Sequence, residues 1–459
     1  MGHRIVVAGA GLAGALLAAR LGRDGHDVLL CERRGDPRAA GHVGGRSINL
    51  AISVRGLDAL RQVGLDAAVL DRAVRMPGRM IHDRAGATVF QPYSADPDRA
   101  INSVSRSGLN LALIEAAAAE PSVRIEFDRR LVDVDCEAPA AIFIDERSGE
   151  RLRVGADLVV ACDGAYSAAR QALQRTEGFD FSQHYLGHGY KELSIPPRPD
   201  GTWAMRPNAL HIWPRGGFMM IALPNPDRSF TCTLFLAKEG RSDDEPGFDR
   251  IRLESDGPEG PRAFMERWFP DAVPMMPTMV EDFRRNPVGA MVTVRCRPWH
   301  RGRVVLLGDA AHAIVPFYGQ GANCAFEDCV ALAAALRTPA SATGDRTPPA
   351  AAGLDAAIAT YERARIENAN AIADMALANF IEMRDHTASR FFRIRKKLEQ
   401  GLGRLLPGVF VPLYDMVSFT TIPYAEARER ARRQWRAVRA VGAGLVIVAI
   451  GAVAWAVTR

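Results

Sequence analysis

Residues 4–14 read RIVVAGAGLAG, and this short stretch decides the fold of the first part of the chain. Its first five residues, Arg4–Ala8, are typical of a buried strand. The next six, Gly9–Gly14, form a G-x-G-x-x-G turn that opens a helix, and Asp27–Glu32 (DVLLCE) is the following strand. The order strand, glycine turn, helix, strand predicts a Rossmann-like unit.

The glycine turn indicates what this unit binds. Its glycines permit a tight turn, close approach of a pyrophosphate and close helix–sheet packing, and the helix N-terminus attracts the phosphates. Glu32 follows Gly14 by eighteen residues, where an acidic side chain can hydrogen-bond ribose hydroxyls. Because a glutamate rather than an arginine stands there, the pattern suits FAD or NAD and disfavours a 2′-phosphate.

Two further apolar strands end in an aspartate beside a glycine. Residues 159–164 read VVACDG, and residues 305–309 read VLLGD. The second is followed by PFYGQGAN at 316–323 and by a predicted helix over Asn323–Leu336. This arrangement places the carboxylate of Asp309 beside a ribityl chain and aims helix N–H groups at an electron-rich ring edge. Asp-Gly alone is a common turn, so it is the co-occurrence of the three motifs that favours one cofactor site.

Composition excludes several other classes. Of 459 residues, 48% are hydrophobic and 24% are charged, which is ordinary for a globular protein and argues against disorder. The net charge of +5 is concentrated in residues 425–439, which hold six arginines and two glutamates, so there is no support for a nucleic-acid footprint. Seven scattered cysteines without a C-x-x-C pair predict reduced thiols and neither a zinc site nor another metal site.

The C-terminal end predicts a membrane anchor. Residues 441–457 carry no charge, and the arginines just before them predict, by the positive-inside rule, that the catalytic body faces the cytoplasm. We therefore expect one C-terminal transmembrane helix over 440–457. The alternative is a buried C-terminal helix of a soluble protein or oligomer.

Further motifs make the sequence similar to a known family. They are GRSINLA at 45–51, INSVSR at 101–106, YKEL at 190–193, NALHIWP at 208–214, and Pro224-Asn225 with DRSFT at 227–231. Together with the three glycine motifs they resemble the FAD-dependent aromatic hydroxylases, and among these the kynurenine 3-monooxygenase family. The resemblance covers most of residues 4–430. The basic and apolar tail also resembles the membrane-anchoring end of eukaryotic members.

The resemblance implies an α/β fold: a Rossmann-like FAD-binding domain with an interleaved β-sheet substrate domain, a C-terminal helical region and a C-terminal transmembrane helix. The implied boundaries place the FAD-binding domain at 1–75, 101–178 and 295–337, a substrate-domain insertion at 76–100, the β-rich substrate domain at 179–294, a linker at 338–353, the helical region that completes the substrate pocket at 354–435 and the membrane anchor at 440–457.

The resemblance also assigns the residues that hold tightly but non-covalently bound FAD. The adenosine half would lie against the first glycine turn, and the isoalloxazine ring would face the second glycine-rich loop. The implied set is Gly9, Gly11, Leu12, Ala13, Gly14, Glu32, Arg33, Arg46, Arg106, Asp163, Asp309, Gln320, Gly321 and Asn323. For Arg46 and Arg106 the alternative is a surface salt bridge.

The implied substrate, L-kynurenine, is an amino acid that carries an aniline ring. Its carboxylate needs a cation and hydrogen-bond donors, and a guanidinium offers a planar fork to a carboxylate. The residues that match the family's substrate contacts are Arg79, Tyr93, Asn379, Tyr414, Phe235 and Phe317. For Arg79 the alternative is a surface charge. For Tyr93, Asn379 and Tyr414 it is a packing or capping role, and for Phe235 it is a place in the core. Tyr318 stands where we expect histidine in the family, which affects only a local contact near the flavin.

The implied reaction consumes NADPH and O2 and hydroxylates kynurenine to 3-hydroxy-L-kynurenine through a flavin C4a-hydroperoxide, a step of tryptophan degradation and of quinolinate and NAD biosynthesis. No residue stands out as a general acid or base. Two other functions remain open: an aromatic hydroxylase of the same class that acts on a phenolic acid, and a membrane-tethered FAD-binding scaffold without turnover.

Overall fold

The computed structural model describes residues 2–39, 49–337, 351–383, 398–399 and 401–457, with the backbone alone for 351–352 and 442–457. Arg46 and most of the predicted linker, 338–350, lie outside these ranges.

A six-stranded sheet forms the base of the cofactor half. Numbered along the whole chain, its strands are β1 (Arg4–Ala8), β2 (Asp27–Cys31), β8 (Val123–Glu126), β12 (Leu158–Ala161), β18 (His300–Arg301) and β19 (Val304–Leu306). Their order is β18-β19-β12-β1-β2-β8, and all neighbours are parallel except β18 and β19. Ile5–Ala8 and the whole of β12 are fully buried, which is why both read as continuous apolar runs.

The helices of the described residues are numbered along the whole chain, and only some of them cover this sheet. They are α1 (Leu12–Arg23), α2 (Val54–Arg61), α3 (Asp66–Asp71), α4 (Arg106–Ala118), α5 (Ala168–Leu173), α6 (Pro261–Trp268), α7 (Met279–Arg285), α8 (Asp309–His312), α9 (Gly321–Leu336), α10 (Ala351–Ile381), α11 (Leu413–Phe419) and α12 (Tyr424–Val457). Helix α9 packs against α1, α2 and α10, so the second glycine-rich loop is held next to the first glycine turn.

A seven-stranded sheet forms the second half. Its strands are β5 (Gly78–His82), β6 (Thr88–Pro92), β13 (Asp180–Ile195), β14 (Leu210–Pro214), β15 (Met219–Pro224), β16 (Phe230–Ala237) and β17 (Gly289–Arg297). The order is β17-β13-β16-β15-β14-β5-β6, and only β5 and β14 pair in parallel, with Arg79 opposite Leu210. Residues 78–92 therefore join strands that come more than a hundred positions later, which brings Arg79 to this sheet.

Two three-stranded sheets complete the strands. One contains β3 (Leu50–Ile52), β7 (Ile101–Val104) and β4 (Val74–Met76), in that order. The other contains β11 (Arg151–Gly155), β10 (Ala140–Asp145) and β9 (Arg129–Asp135). Under the large sheet, α6 and α7 enclose a separate aromatic core that includes Phe218, Trp268 and Phe283.

The C-terminal end corrects one part of the predicted fold class. Residues 440–457 are not a separate helix, because α12 is one 34-residue helix whose first part packs on the body of the protein. Tyr424, Ala427 and Ala431 are buried there, and Arg428 pairs with Asp374 at 2.6 Å.

Within the part of the chain that the structure describes, no helix has an apolar stretch long enough to cross a membrane. The side chains of 442–457 lie outside that part. The first half of α12 is strongly charged, so the apolar run does not extend back along the helix. The prediction of a transmembrane anchor is therefore wrong. The predicted membrane-anchored location with a cytoplasm-facing body, which depended on that anchor, is wrong with it.

Candidate active site

The turn between β1 and α1 accepts only glycine at two positions. Gly9 has φ of +103°, a conformation that side chains rarely adopt. A Cβ at Gly14 would lie 1.9 Å from the carbonyl oxygen of Gly9, so any side chain there would collide with backbone. At Gly11, by contrast, a Cβ would meet nothing within 4 Å. Protein backbone therefore fills the space beside Gly9 and Gly14, whereas the space beside Gly11 is empty. The first N–H groups of α1 can bind an anion there.

Glu32 supports this turn from the end of β2. Its Oε2 accepts a hydrogen bond from the N–H of Ala10 at 2.9 Å, and its Oε1 accepts one from Arg34 at 3.1 Å. A carboxylate has about four lone-pair sites, so acceptor capacity remains for ribose hydroxyls. Arg33 is exposed beside it.

Asp163 follows the end of β12 by two residues and holds the start of α5. Its Oδ2 accepts hydrogen bonds from Ala168 at 2.7 Å and Ala169 at 3.2 Å. Its Oδ1 is buried and has no partner among the described residues. Burial raises the pKa of this carboxyl, so an additional donor from a bound group would satisfy an atom that the protein leaves unpaired.

Asp309 lies at the neighbouring strand end and is exposed, although residues on both sides are buried. It begins α8 directly after Gly308, whose φ is +64°. Arg170 donates to the carbonyl of Ala310 at 2.7 Å, which joins the Asp163 and Asp309 loops. The carboxylates therefore stand at the carboxyl ends of adjacent parallel strands, the edge at which α/β sheets bind ligands.

The loop before α9 is fixed from inside. Asn323 accepts from the N–H of Ser53 at 3.0 Å and donates to the carbonyls of Ala51 and Gly319 at 2.9 and 2.8 Å. Its side chain is thus used by the protein and anchors the loop. Gln320 is also buried, whereas a Cβ at Gly321, the first residue of α9, would meet only Ile314, at 3.8 Å.

These residues fit FAD on the chain's own geometry. The open glycine turn suits a pyrophosphate, and Glu32 suits a ribose. The unpaired Oδ1 of Asp163 and the exposed Asp309 suit the middle of the cofactor. Arg106 is exposed at the first residue of α4, whereas Arg46 lies outside the described residues.

Arg79 and three tyrosines form the substrate end. The guanidinium carbon of Arg79 lies 5.2 Å from the ring centroids of both Tyr93 and Tyr414. Tyr414 is stacked between Tyr93, at 5.0 Å, and Tyr318, at 5.6 Å. Burial raises the pKa of the Tyr93 and Tyr414 phenols, so both are neutral hydrogen-bond donors.

A cavity of about 830 Å³ opens at this cluster. Four of the six predicted substrate residues line it: Arg79, Tyr93, Asn379 and Tyr414. The sequence prediction did not include the other lining residues, among which are Tyr318, Met375, Glu382 and Asp415. Glu382 could have been found, because it follows Asn379 by three positions and residues at that spacing share a helix face.

The other two predicted residues, Phe235 and Phe317, do not line this cavity. Their ring centroids are 4.9 Å apart, and Phe317 also stacks on Phe380 at 4.2 Å. Asn379 donates to the carbonyl of Phe317 at 2.6 Å, so this aromatic cluster supports the cavity wall from behind.

Comparison with known proteins agrees with this geometry. The family model described as "FAD binding domain" matches residues 3–376. The kynurenine 3-monooxygenase of Myxococcus xanthus (strain DK1622) is 48% identical over 421 residues, which is 92% of this chain and 86% of that protein. The enzyme of the same name from Stenotrophomonas maltophilia (strain K279a) is 46% identical over 93% of this chain and 90% of its own.

A solved structure shares the fold. The tetrameric form of 2-methyl-3-hydroxypyridine-5-carboxylic acid oxygenase superposes with a TM-score of 0.65 at 20% identity, covering 84% of this chain and 94% of its own. At that identity the likeness concerns the fold alone. The sequence relatives, which match almost end to end, establish that this chain belongs to the kynurenine 3-monooxygenase family of FAD-dependent hydroxylases.

Proposed function

We propose that this protein hydroxylates L-kynurenine to 3-hydroxy-L-kynurenine with NADPH and O2. One observation of this chain carries the substrate assignment. Arg79 has no carboxylate within ion-pair distance among the described residues. Its Nε is buried and has no hydrogen-bond partner among them. A guanidinium in such surroundings is stabilised by an anionic ligand, and the carboxylate of an amino acid is one.

The head of the substrate binds between Arg79 and the tyrosines. Arg79 takes the carboxylate, and the neutral hydroxyls of Tyr93 and Tyr414 supply further donors. Asn379 already uses its Nδ2 on Phe317, so its Oδ1 is the atom that can accept from the substrate ammonium. This arrangement selects an α-amino acid over a simple phenolic acid.

The residues proposed to hold FAD divide by how they act. Gly9, Gly11, Leu12, Ala13 and Gly14 provide space and N–H groups for the pyrophosphate, and Glu32 binds the adenosine ribose. The rest of the cofactor lies along four charged residues, namely Arg33, Arg106, Asp163 and Asp309. Gln320, Gly321 and Asn323 shape the loop at the ring. When bound, FAD supplies the hydride acceptor for NADPH and the activation of O2.

The chain's own residues orient the substrate ring and exclude water. The amino-acid head is fixed at Arg79, so the aniline ring points toward the wall supported by Phe317, Phe380 and Phe235. Aromatic packing of this kind keeps the reacting carbon in a dry environment. We propose that the chain divides functionally into an FAD-binding domain, a substrate domain and a C-terminal helical region that completes the substrate pocket.

The test is mass spectrometry of the product made by the purified yellow protein from kynurenine, NADPH and air. We expect 3-hydroxykynurenine, and faster NADPH oxidation with kynurenine than with hydroxybenzoates. Faster oxidation with a hydroxybenzoate would favour a phenolic substrate. A yellow protein that never oxidises NADPH with any aromatic ligand would contradict enzymatic turnover.

A further inference from the structure

A chain of buried and partly buried ion pairs connects the cofactor half of the site to its substrate half. Arg55, on α2, donates to Oε1 of Glu327 at 2.5 Å, and Arg365 donates to Oε2 of the same carboxylate at 3.1 Å. Arg365 continues to Asp328 at 2.6 Å, and Asp328 contacts His312 at 2.5 Å. The proposed reaction gives none of these side chains a role.

At one end, Arg55 holds the segment that carries Tyr414. Its Nε donates to the carbonyl of Val417 at 2.8 Å, and its Nη2 donates to the carbonyls of Met416, at 3.2 Å, and Ile422. Met416 and Val417 follow Tyr414 on α11 by two and three positions. The planar guanidinium therefore fixes both α11 and the turn that leads to α12.

The same guanidinium also reaches the cofactor loop. It covers the ring of Tyr424 at 4.0 Å from the centroid, and the Tyr424 hydroxyl donates to Oε1 of Gln320 at 2.9 Å. Gln320 directly precedes α9. One side chain, with 1% of its surface exposed, thus contacts elements from both halves of the site.

At the other end, Asp328 supports the loop of Asp309. It accepts from the N–H of Gly308 at 3.3 Å as well as contacting His312. The ligand-type atoms of His312, Cys324 and Asp328 lie within 4.8 Å of one another, as in a metal site. Arg365 donates to both Asp328 and the sulfur of Cys324, at 3.3 Å, so a guanidinium provides the cation of this cluster.

We propose that Arg55 is a positioning residue that keeps the Tyr414 segment in register with the cofactor loop. Buried ion pairs often add little net stability but fix one arrangement of the groups they join. Loss of Arg55 would let α11 shift relative to α9, and a shift of about 1 Å in substrate-positioning groups is costly for reaction. This inference rests on the proposed function, because its readout is kynurenine binding.

The experiment compares Arg55→Met with a matched control on the same helix, Arg61→Met. Arg61 is exposed and makes 3.1 Å ion pairs with Asp58 and Asp66. For each oxidised FAD holoenzyme, the dissociation constant of kynurenine is measured from the flavin absorbance, well below the unfolding temperature. Peroxide released per NADPH consumed is measured separately.

We expect Arg55→Met to raise the kynurenine dissociation constant by about tenfold and to increase the peroxide share, as for loss of coupling between sites. Arg61→Met should change neither by more than about twofold. A variant that melts earlier but keeps the wild-type dissociation constant and peroxide share would overturn the proposal, because Arg55 would then be merely structural.

If Arg55→Met does not yield folded flavoprotein, the kynurenine dissociation constant of Arg55→Lys tests the proposal instead. Its single ammonium cannot serve Glu327 and three carbonyls together, so we expect an intermediate loss of kynurenine affinity. Wild-type affinity in Arg55→Lys would contradict the positioning role. If the unmodified holoenzyme shows no spectral response to kynurenine, the proposed function fails instead, so the two failures are distinguishable.

Discussion

Arg79 and Tyr414 meet with the guanidinium carbon 5.2 Å from the ring centroid, although Arg79 lies on β5 and Tyr414 on α11 near the other end of the chain. The contact requires the strands at 78–92, within the predicted insertion at 76–100, and the C-terminal helices to line the same cavity. Ser94 and Arg99 reinforce this closure, because both donate to Asp415, at 2.7 and 3.0 Å.

Arg79→Ala is expected to weaken kynurenine binding by about 1.5–3 kcal/mol, since a charged hydrogen-bond partner is lost. The flavin absorbance titration described above measures it. The control is Arg75→Ala, at an exposed arginine on the preceding strand β4, and this variant should bind kynurenine normally. Unchanged affinity in Arg79→Ala would remove Arg79 from the site.

Substitutions at Gly14 and Gly11 should separate folding from cofactor binding. Gly14→Ala places a Cβ 1.9 Å from the oxygen of Gly9, so we expect a loss of about 1–3 kcal/mol or more in the stability of the apoprotein. Gly11→Ala meets nothing in the protein, so the apoprotein should melt within a few degrees of wild type.

The FAD dissociation constant completes this comparison. In Gly11→Ala it should rise, because the new methyl group would stand where the pyrophosphate approaches. Melting is followed by circular dichroism and FAD binding by flavin fluorescence. Normal FAD affinity in Gly11→Ala would show that the cofactor does not lie against this turn.

Tyr424→Phe tests the hydrogen bond between Tyr424, on α12, and Gln320, in the loop before α9. The ring under Arg55 is retained, but the buried Oε1 of Gln320 loses its donor, which costs about 1–3 kcal/mol. We expect a lower unfolding temperature and faster loss of FAD. Tyr185→Phe, at an exposed tyrosine, is the control. Equal unfolding temperatures and equal rates of FAD loss in the two variants would contradict a stabilising role of this hydrogen bond.

His211 should make the protein less stable as the pH falls. Burial lowers its pKa to about 4, from the ordinary 6.5, although the carbonyl of Arg206 accepts its Nε2–H. Between these pH values the unfolded chain binds a proton that the folded chain does not, so stability decreases from about pH 6.5 down to about pH 4, by up to about 3 kcal/mol.

The measurement is the free energy of unfolding in urea at about pH 7 and about pH 5. His211→Gln should show a smaller difference between the two pH values than the wild type does. The exposed His184→Gln should behave like the wild type. An unchanged difference in His211→Gln would assign the pH dependence to other groups.

Local patterns were sufficient to predict the strand and the helix at the proposed cofactor end. The strand predicted at Arg4–Ala8 has these bounds in the structure, and the helix predicted from Asn323 begins two residues earlier, at Gly321. Strand period, glycine turns and helix starts depend on neighbours within a few residues, so the sequence expresses them directly. Local patterns did not predict that the side chain of Asn323 hydrogen-bonds Ala51 and Ser53, because these partners come from a distant strand and helix start.

By itself, then, the amino-acid sequence determined the glycine-turn unit, the three acidic strand ends and the family. Tertiary structure alone decided that Arg79, Tyr93, Asn379 and Tyr414 share one cavity and that Phe235 and Phe317 stand behind its wall. It also decided that Arg55 is buried, and that the start of α12 packs on the body. The reason is physical: turns and strand ends follow from local conformational preferences, whereas cavities and buried ion pairs arise from packing between segments hundreds of residues apart.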